Sequence, residues 1–600
     1  MTYNGWRKIV VVVMIFMLIS IYNNDFSEGE GTLIIPLFGI TILCPDSIPE
    51  RIEWAELITE RLAYIGIVAD LEVANWSIIS SRTWGYPGPY PVPTFDEGGF
   101  DALFMHFSWD LDVDMTGLFD TPSMPPNGDN FYQYFNSEMD WAISNYSQSF
   151  NYTDRIVFAN EIQQLLYDDL PTIPLHHSQK LLVLDEELTG SFELLYSEDF
   201  ETIENWEIPG ETELHFAVPN LFEDFHNCIY RKSITDSLWL SQIYPGLVMR
   251  DPETKVWIDR LATSWSSNNG INYTIKMNPN AVFADGHVLN ATDVNYTYHL
   301  LNDPAFCNWY QWWIPPYIDE DTIKIISEFE LQFDFLQPYV FQENNFNYGI
   351  MPKHLWGIID PVDQINQSIN WALNDTLDSN IFGAGPYYLD DFDNSTKVIR
   401  LKRNEYFKNW TGIDPNFEYL YFEYYPDKES AITAYESELI DLIHPRFEIT
   451  YDDLANLSTV TTTHVESLQT QELALNMLHP YFGTGQLCPI ASDESAKHIR
   501  KAINYIIPRR NITQYITDNV SVPAATTWPR GSLGFNDSLL PIEYNLAKAW
   551  EHMVEAGFIC ELQEGTTHQF SLNKSVIILP LISGGVIITV CRRKKRFGIE

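Results

Sequence analysis

Two carboxylates, Asp112 and Asp114, follow Trp109 closely in the segment FDALFMHFSWDLDVDMTGLF at residues 100–119. Two acids set across a bond are what glycoside hydrolysis requires, one protonating the leaving group and the other acting as base or nucleophile. Asp and Glu together number 82 in this chain, so the pair alone carries little specificity. A second group, CNWYQWWIPPY, gathers Trp309, Trp312, Trp313 and Tyr317. Aromatic faces of this kind stack on sugars or line peptide side-chain pockets. His176 and His177 are adjacent, but consecutive residues of a strand face opposite ways, so packing is expected there rather than chelation. HExxH, GxSxG and a Walker A loop are absent, and the six cysteines have no CxxC spacing. No catalytic residue, cofactor or metal is therefore expected, and the aromatics and acids point to binding.

The elements that must position these groups read as an α/β pattern. In residues 272–301, Tyr273, Ile275 and Met277 alternate with polar residues as in a half-buried strand. Asp285-Gly286 forms a turn. Asn290 or Thr292 caps a helix carrying Val294, Tyr298 and Leu301 at helical spacing. Residues 31–44 form a buried strand. Pro49 to Gly66 form a helix whose apolar face is Ile52, Leu57, Ile58, Leu62 and Ile65, and residues 67–73 form the next strand. A helix from Asp154 to Tyr167 buries Ile156, Ile162, Leu165 and Leu166, and Pro508 ends or kinks a helix that begins near residue 497.

A net charge of −47 opposes nucleic-acid binding, because phosphates would be repelled. Arg7 and Lys8 precede an apolar run from Ile9 to Tyr22, so residues 1–24 are read as a signal peptide or N-terminal membrane anchor. Residues 575–591 are apolar and end in Arg592-Arg593-Lys594-Lys595-Arg596, the pattern of a transmembrane helix with a cytoplasmic basic tail at 592–600. Asn-x-Ser/Thr triplets, among them Asn151, Asn295, Asn394 and Asn511, fit a glycosylated exterior.

The phrase around Phe283, Asp285, Gly286, Leu289, Ala291, Asp293, Val294 and Tyr296 resembles the signature of the family 5 extracellular solute-binding proteins of ABC importers, the peptide and nickel class. ETELHFAVPN (211–220) resembles the family's first strand and IYPGLVMRDPETKVWIDRLATSW (243–265) its opening, while MPKH (351–354), GAGPYY (383–388), the segments 424–443, 473–482 and 497–512, and LAKAWEHMVEAGF (546–558) resemble later phrases of that family. Residues 67–73, 100–119, 129–143 and 170–184 resemble its closing part. The family's beginning and middle thus occupy the second part of the chain and its end the first. Each phrase occurs once, as in a circular permutation.

The resemblance implies a two-lobed periplasmic-binding-protein-like fold (class II, the large cluster with an extra domain), permuted and flanked by membrane segments. The expected division is 31–200 for the family's C-terminal part, 201–212 for a linker joining the ancestral ends, 213–560 for its N-terminal and middle part, and 561–574 for a spacer. The implied function is capture of peptides outside the cell and delivery to a permease and its ATPases, with the body extracellular and the C-terminus cytoplasmic. The alternatives are an oligosaccharide receptor of the same family, a glycan-processing enzyme, and a surface protein that has lost transport. In peptide-binding relatives an Asp three residues after Trp holds the ligand ammonium. Trp109 and Asp112 keep that spacing, with Asp114 in reserve. Trp309, Trp312 and Trp313 complete the expected ligand contacts.

Overall fold

The computed structural model describes residues 36–559, apart from 197–201, 223–226, 230–233, 268, 304–317, 319–320, 362, 365–381, 394 and 458–459. Beyond them it describes Leu579–Pro580 and Val586–Ile587, which pair as short antiparallel strands. Pro36–Ile559 forms one compact unit, the larger of two.

An 11-stranded sheet runs through the larger unit. From edge to edge its order is Tyr387–Asp393, Val398–Arg403, Tyr419–Tyr424, Glu213–Val218, Leu442–Ile443, Thr172–Leu184, Thr461–Leu475, Ala102–Ser108, Phe38–Pro45 and Ile67–Ala74. Val522–Pro523 pairs with Thr172–Leu184 beside this path. Thr172–Leu184 and Thr461–Leu475 are the two longest strands, and they pair antiparallel from Thr461↔Leu184 to Ala474↔Thr172. One lobe grows on each side of them. The first has a core that includes Phe216, Trp239, Ile275, Phe283, Tyr298 and Leu401. The second packs Leu43, Phe100, Met105, Phe119, Ile162 and Trp528.

Local sequence signals explain much of this. The strand Asn272–Met277 alternates exposed and buried residues, with Tyr273, Ile275 and Met277 inside. Asn290 caps the helix Ala291–Asn302 in a reciprocal capping box with Asp293. Helix Asp493–Ile506 stops before Pro508, and a second helix, Arg509–Tyr515, starts after it, because Pro508 has no N–H to continue the ladder. Gly66, at φ 79°, ends the turn after helix Pro49–Leu62, a conformation that glycine adopts without a Cβ clash.

Several expected faces are corrected. In helix Pro49–Leu62 the buried residues are Arg51, Trp54, Ala55, Ile58 and Leu62, while Ile52 and Leu57 are half-buried. Packing on the sheet sets this face: the Trp54 ring meets Phe104 edge-on, centroids 5.1 Å apart. Helix Tyr152–Asp169 buries Ala159, Ile162, Gln163 and Leu166, leaving Ile156 and Leu165 half-buried. The segment 473–482, which resembles a phrase of the family, is strand only to Leu475, because Asn476 turns the chain and donates to the carbonyls of Phe100 (2.8 Å) and Pro93 (3.1 Å).

The two ends of this unit lie together. Phe38 stacks on Tyr481 with centroids 4.1 Å apart and stands 6.0 Å from Phe558. The Trp550 indole N–H donates to the Tyr64 carbonyl at 3.0 Å. Cys44 and Cys488 are free thiols, and the Cys228 thiol donates to the Gly349 carbonyl at 3.3 Å; Cys307, Cys560 and Cys591 lie outside the described residues. No helix among the described residues is long and apolar enough to cross a membrane. The expected segment 1–24 lies outside the described residues, and of 575–591 only the two short strands are described, where the chain is extended.

Candidate functional site

The strand Ala102–Ser108 delivers the acidic segment. It pairs antiparallel with Thr461–Leu475, from Leu475↔Ala102 to Gln469↔Ser108. The partner strand shifts register between Glu466 and Gln469, and Leu468 there takes φ 51°. Trp109 makes one more ladder bond, N–H to the Leu468 carbonyl at 3.1 Å, and the chain then leaves the sheet. The next residues, Asp110 and Leu111, line a cavity of about 270 Å³.

The opposite wall comes from the first lobe. Strands Val248–Arg250 and Trp257–Asp259 form a hairpin in which Arg250 and Trp257 are direct cross-strand partners. The Arg250 guanidinium lies 3.7 Å from the centre of the Trp257 ring, close enough for a cation–π contact. Tyr244, Arg250, Trp257 and Asn347 face the cavity. Its volume is below that of pockets for drug-sized ligands, so it suits a small solute.

Arg250 joins the walls. Its Nη2 donates to Asp112 Oδ2 at 2.5 Å and to Asn344 Oδ1 at 3.2 Å, and its Nη1 donates to the Lys255 carbonyl at 3.0 Å. The side chains of Arg250 and Asp112 are 13% and 4% exposed, so the pair is shielded from water and its attraction is little screened. The Tyr146 hydroxyl donates to the Val113 carbonyl at 2.6 Å and fixes the backbone after Asp112. Asp110 reaches solvent, but desolvation between the walls raises its carboxyl above the usual range, and the charge of Asp112 raises it further.

The expected ligand residues are thus placed differently from one another. Asp112 is buried, with Arg250 as its counter-ion; it does not itself line the cavity. Asp114 shapes a turn, accepting from the Thr116 N–H at 2.9 Å and from the Tyr339 hydroxyl at 3.5 Å. Trp109 is half-buried against the second lobe's core, its ring 5.4 Å from Phe107. Trp309, Trp312 and Trp313 lie outside the described residues. His176 and His177 are both buried and on opposite faces: His176 meets the Trp54 ring edge-on, and His177 Nδ1 lies 3.0 Å from Thr470 Oγ1. Burial lowers both imidazoles to about 3, which keeps them neutral.

The sequence reading did not single out Arg250 and Trp257. The signal was present in MRDPETKVW: Asp251-Pro252 marks a turn, and a hairpin around it sets the cation directly opposite the indole.

Residues 257–584 match the family described as bacterial extracellular solute-binding proteins, family 5 middle. Heme-binding protein A of Haemophilus influenzae is 21% identical over 328 residues, covering 50% of this chain and 53% of that protein. Oligopeptide-binding protein AppA of Bacillus subtilis is 22% identical over 355 residues, covering 57% and 58%. The chain therefore spans little more than half the length of the curated relatives it matches. Among solved structures, AppA in complex with a nonapeptide superposes with a TM-score of 0.39 at 18% identity, covering 57% of this chain and 64% of that one. The substrate-binding protein CtaP of Listeria monocytogenes gives a TM-score of 0.40 at 18% identity, covering 58% and 66%. The family match takes in more than half of the 600 residues, and the chain belongs to the family 5 bacterial extracellular solute-binding proteins.

Proposed function

We propose that this protein is the extracellular, membrane-anchored substrate-binding component of an ABC importer, and that it captures peptides for the permease and its ATPases. The observation that carries this reading is the buried Asp112–Arg250 pair, whose Arg250 lines the cavity. A free peptide is a zwitterion. An ammonium taken into a closed site loses its hydration and needs a fixed anion in return, and a carboxylate needs a cation. Asp112 supplies the first and Arg250 the second, so a ligand that parts the pair restores both charges' partners. Asp114 stands in reserve for the ammonium. Calorimetry with di- and tripeptides tests this: free peptides should bind, and N-acetylated peptides should bind much more weakly. Equal affinity for both, or preference for neutral oligosaccharides, would reject Asp112 as the anchor and favour the Trp309–Trp313 cluster.

The same reading includes a circular permutation of the family's chain, with residues 201–212 joining the ancestral ends. It is supported by the cyclic order of the family's phrases and by the closeness of Phe38 to Phe558. It also includes a membrane anchor at 575–591 with a cytoplasmic basic tail, supported by the apolar run and the five cations after it.

A further inference from the structure

Away from the cleft, a turn in the first lobe brings a carboxylate and two imidazoles together. Val282 and Val288 bridge across this turn. The Phe283 N–H donates to the His287 carbonyl at 2.8 Å, and the Gly286 N–H donates to the Phe283 carbonyl at 2.9 Å. Gly286 takes φ +88°, which a residue with a Cβ adopts only under strain. The His287 N–H occupies Asp285 Oδ1 at 3.0 Å. The turn therefore fixes the carboxylate and leaves Oδ2 for other partners.

Two imidazoles converge on that oxygen. His287 Nδ1 lies 3.0 Å from Asp285 Oδ2, and His354 Nε2 lies 2.7 Å from it. His354 belongs to the short helix Lys353–Trp356, whose Lys353 N–H donates to Asp293 Oδ1 at 3.0 Å. That bond ties it to the helix following the turn. The Phe283 ring flanks His354, centroids 5.5 Å apart. Asp285 and His354 are held by the fold, while the His287 side chain is 63% exposed and its ring stacks on that of His354, centroids 4.0 Å apart.

We propose that Asp285, His287 and His354 form a binding site for a divalent late first-row transition metal, Zn(II) or a neighbour of similar ligand preference. One ligand atom from each residue lies within 4.8 Å of the other two. Tetrahedral coordination with bonds of about 2.0–2.1 Å places ligand atoms about 3.3 Å apart, so small side-chain shifts seat the ion. Two imidazoles and one carboxylate suit Zn(II), Ni(II), Co(II) or Cu(II) rather than Mg(II) or Ca(II), which prefer oxygen. An exposed His–carboxylate contact contributes little to stability by itself, so a hydrogen bond to His287 is a weak reason for this arrangement. Three protein ligands leave at least one position for water or a ligand atom from another molecule. None of the three residues lines the cleft cavity, so the site stands independently of the peptide reading.

The test uses the purified full-length protein after chelator treatment, titrated with Zn(II) by calorimetry and with Co(II) by visible absorption. One ion per chain should bind at this site. His287→Ala should weaken binding by at least about tenfold and remove the Co(II) ligand-field band, since even outer partners of a metal site carry 10–100-fold effects. The exposed His287 side chain makes that variant safe for folding. His299→Ala, which removes an exposed imidazole bonded to the Asn295 carbonyl, should bind as the wild type does. Absence of stoichiometric binding, or an unchanged affinity and Co(II) spectrum in His287→Ala, overturns the site and leaves a hydrogen-bonded triad only.

Discussion

Arg250 from the first lobe and Asp112 from the second meet at 2.5 Å, at the wall of the cavity between them. The contact joins the two sides of the cavity, and on the proposed reading a zwitterionic peptide parts it. Arg250→Ala leaves Asp112 without its counter-ion and should cost about 3–5 kcal/mol of stability, measured by denaturant unfolding. Asp112→Ala should weaken peptide binding by about 2–5 kcal/mol, and Asp112→Asn should be nearly as harmful. The double variant should recover part of the stability lost by Arg250→Ala. A loss equal to the sum of the two single losses would show that the groups do not interact.

The contribution of Glu472 to stability should fall as pH rises from about 4.5 to about 7. Burial raises the Glu472 carboxyl from 4.5 to about 7, even though the Tyr132 hydroxyl donates to it at 2.5 Å. Between those values the folded chain holds a proton that the unfolded chain has lost, so folding is favoured below 4.5 and the advantage disappears through 7. One such group amounts to about 3 kcal/mol. Glu466 is likewise raised to about 7, chiefly by desolvation. Glu472→Gln keeps an acceptor for Tyr132 without the charge. It should raise the Tm at pH 8 and leave it nearly unchanged at pH 5. An equal effect at both values would assign the change to packing.

Arg51 is fully buried in helix Pro49–Leu62 and has no carboxylate partner among the described residues. Its Nη2 contacts His106 Nδ1 and lies 3.3 Å from Gln471 Oε1, while Nε and Nη1 have no partner. Desolvation lowers its guanidinium to about 10, so it stays charged at neutral pH. Replacing a buried ion by an apolar side chain of similar volume is often stabilising, by about 1–4 kcal/mol. Arg51→Met should therefore raise stability in urea unfolding. A loss of more than about 1 kcal/mol would mean that the contacts to His106 and Gln471 outweigh the desolvation of the charge.

The permutation has a direct test. A rearranged chain that starts near residue 211, runs to 559, and continues through a short linker into 36–200 should fold and unfold at nearly the original temperature. The Phe38–Phe558 separation of 6.0 Å makes that linker short. A rearranged chain that stays unfolded while the original order folds would reject the reading.

Orientation in the membrane is tested on intact cells. Added protease should remove residues of the body and spare a tag fused to Glu600. Loss of the tag would reverse the proposed orientation.

Local chemistry in the sequence determined much of the framework. The strand–turn–helix of residues 272–302, the break at Pro508 and the glycine stop at Gly66 are set by side-chain alternation, a missing N–H and a missing Cβ, all of which act within a few residues. The family's phrases were legible for the same reason, because they encode turns and caps. The buried face of helix Pro49–Leu62 was not, since Trp54 and Arg51 turn inward only because Phe104 and His106 stand on a strand formed about 50 residues later. The site depends still more on distance in sequence. Arg250 reaches Asp112 across 138 residues, and His354 reaches Asp285 across 69. No local periodicity carries such pairings. The Arg250–Asp112 pair exists because the long strands Thr172–Leu184 and Thr461–Leu475 carry a lobe on each side, and burial between those lobes converts ordinary surface charges into a shielded pair, whereas the His354–Asp285 contact forms where a turn and a short helix of one lobe pack together.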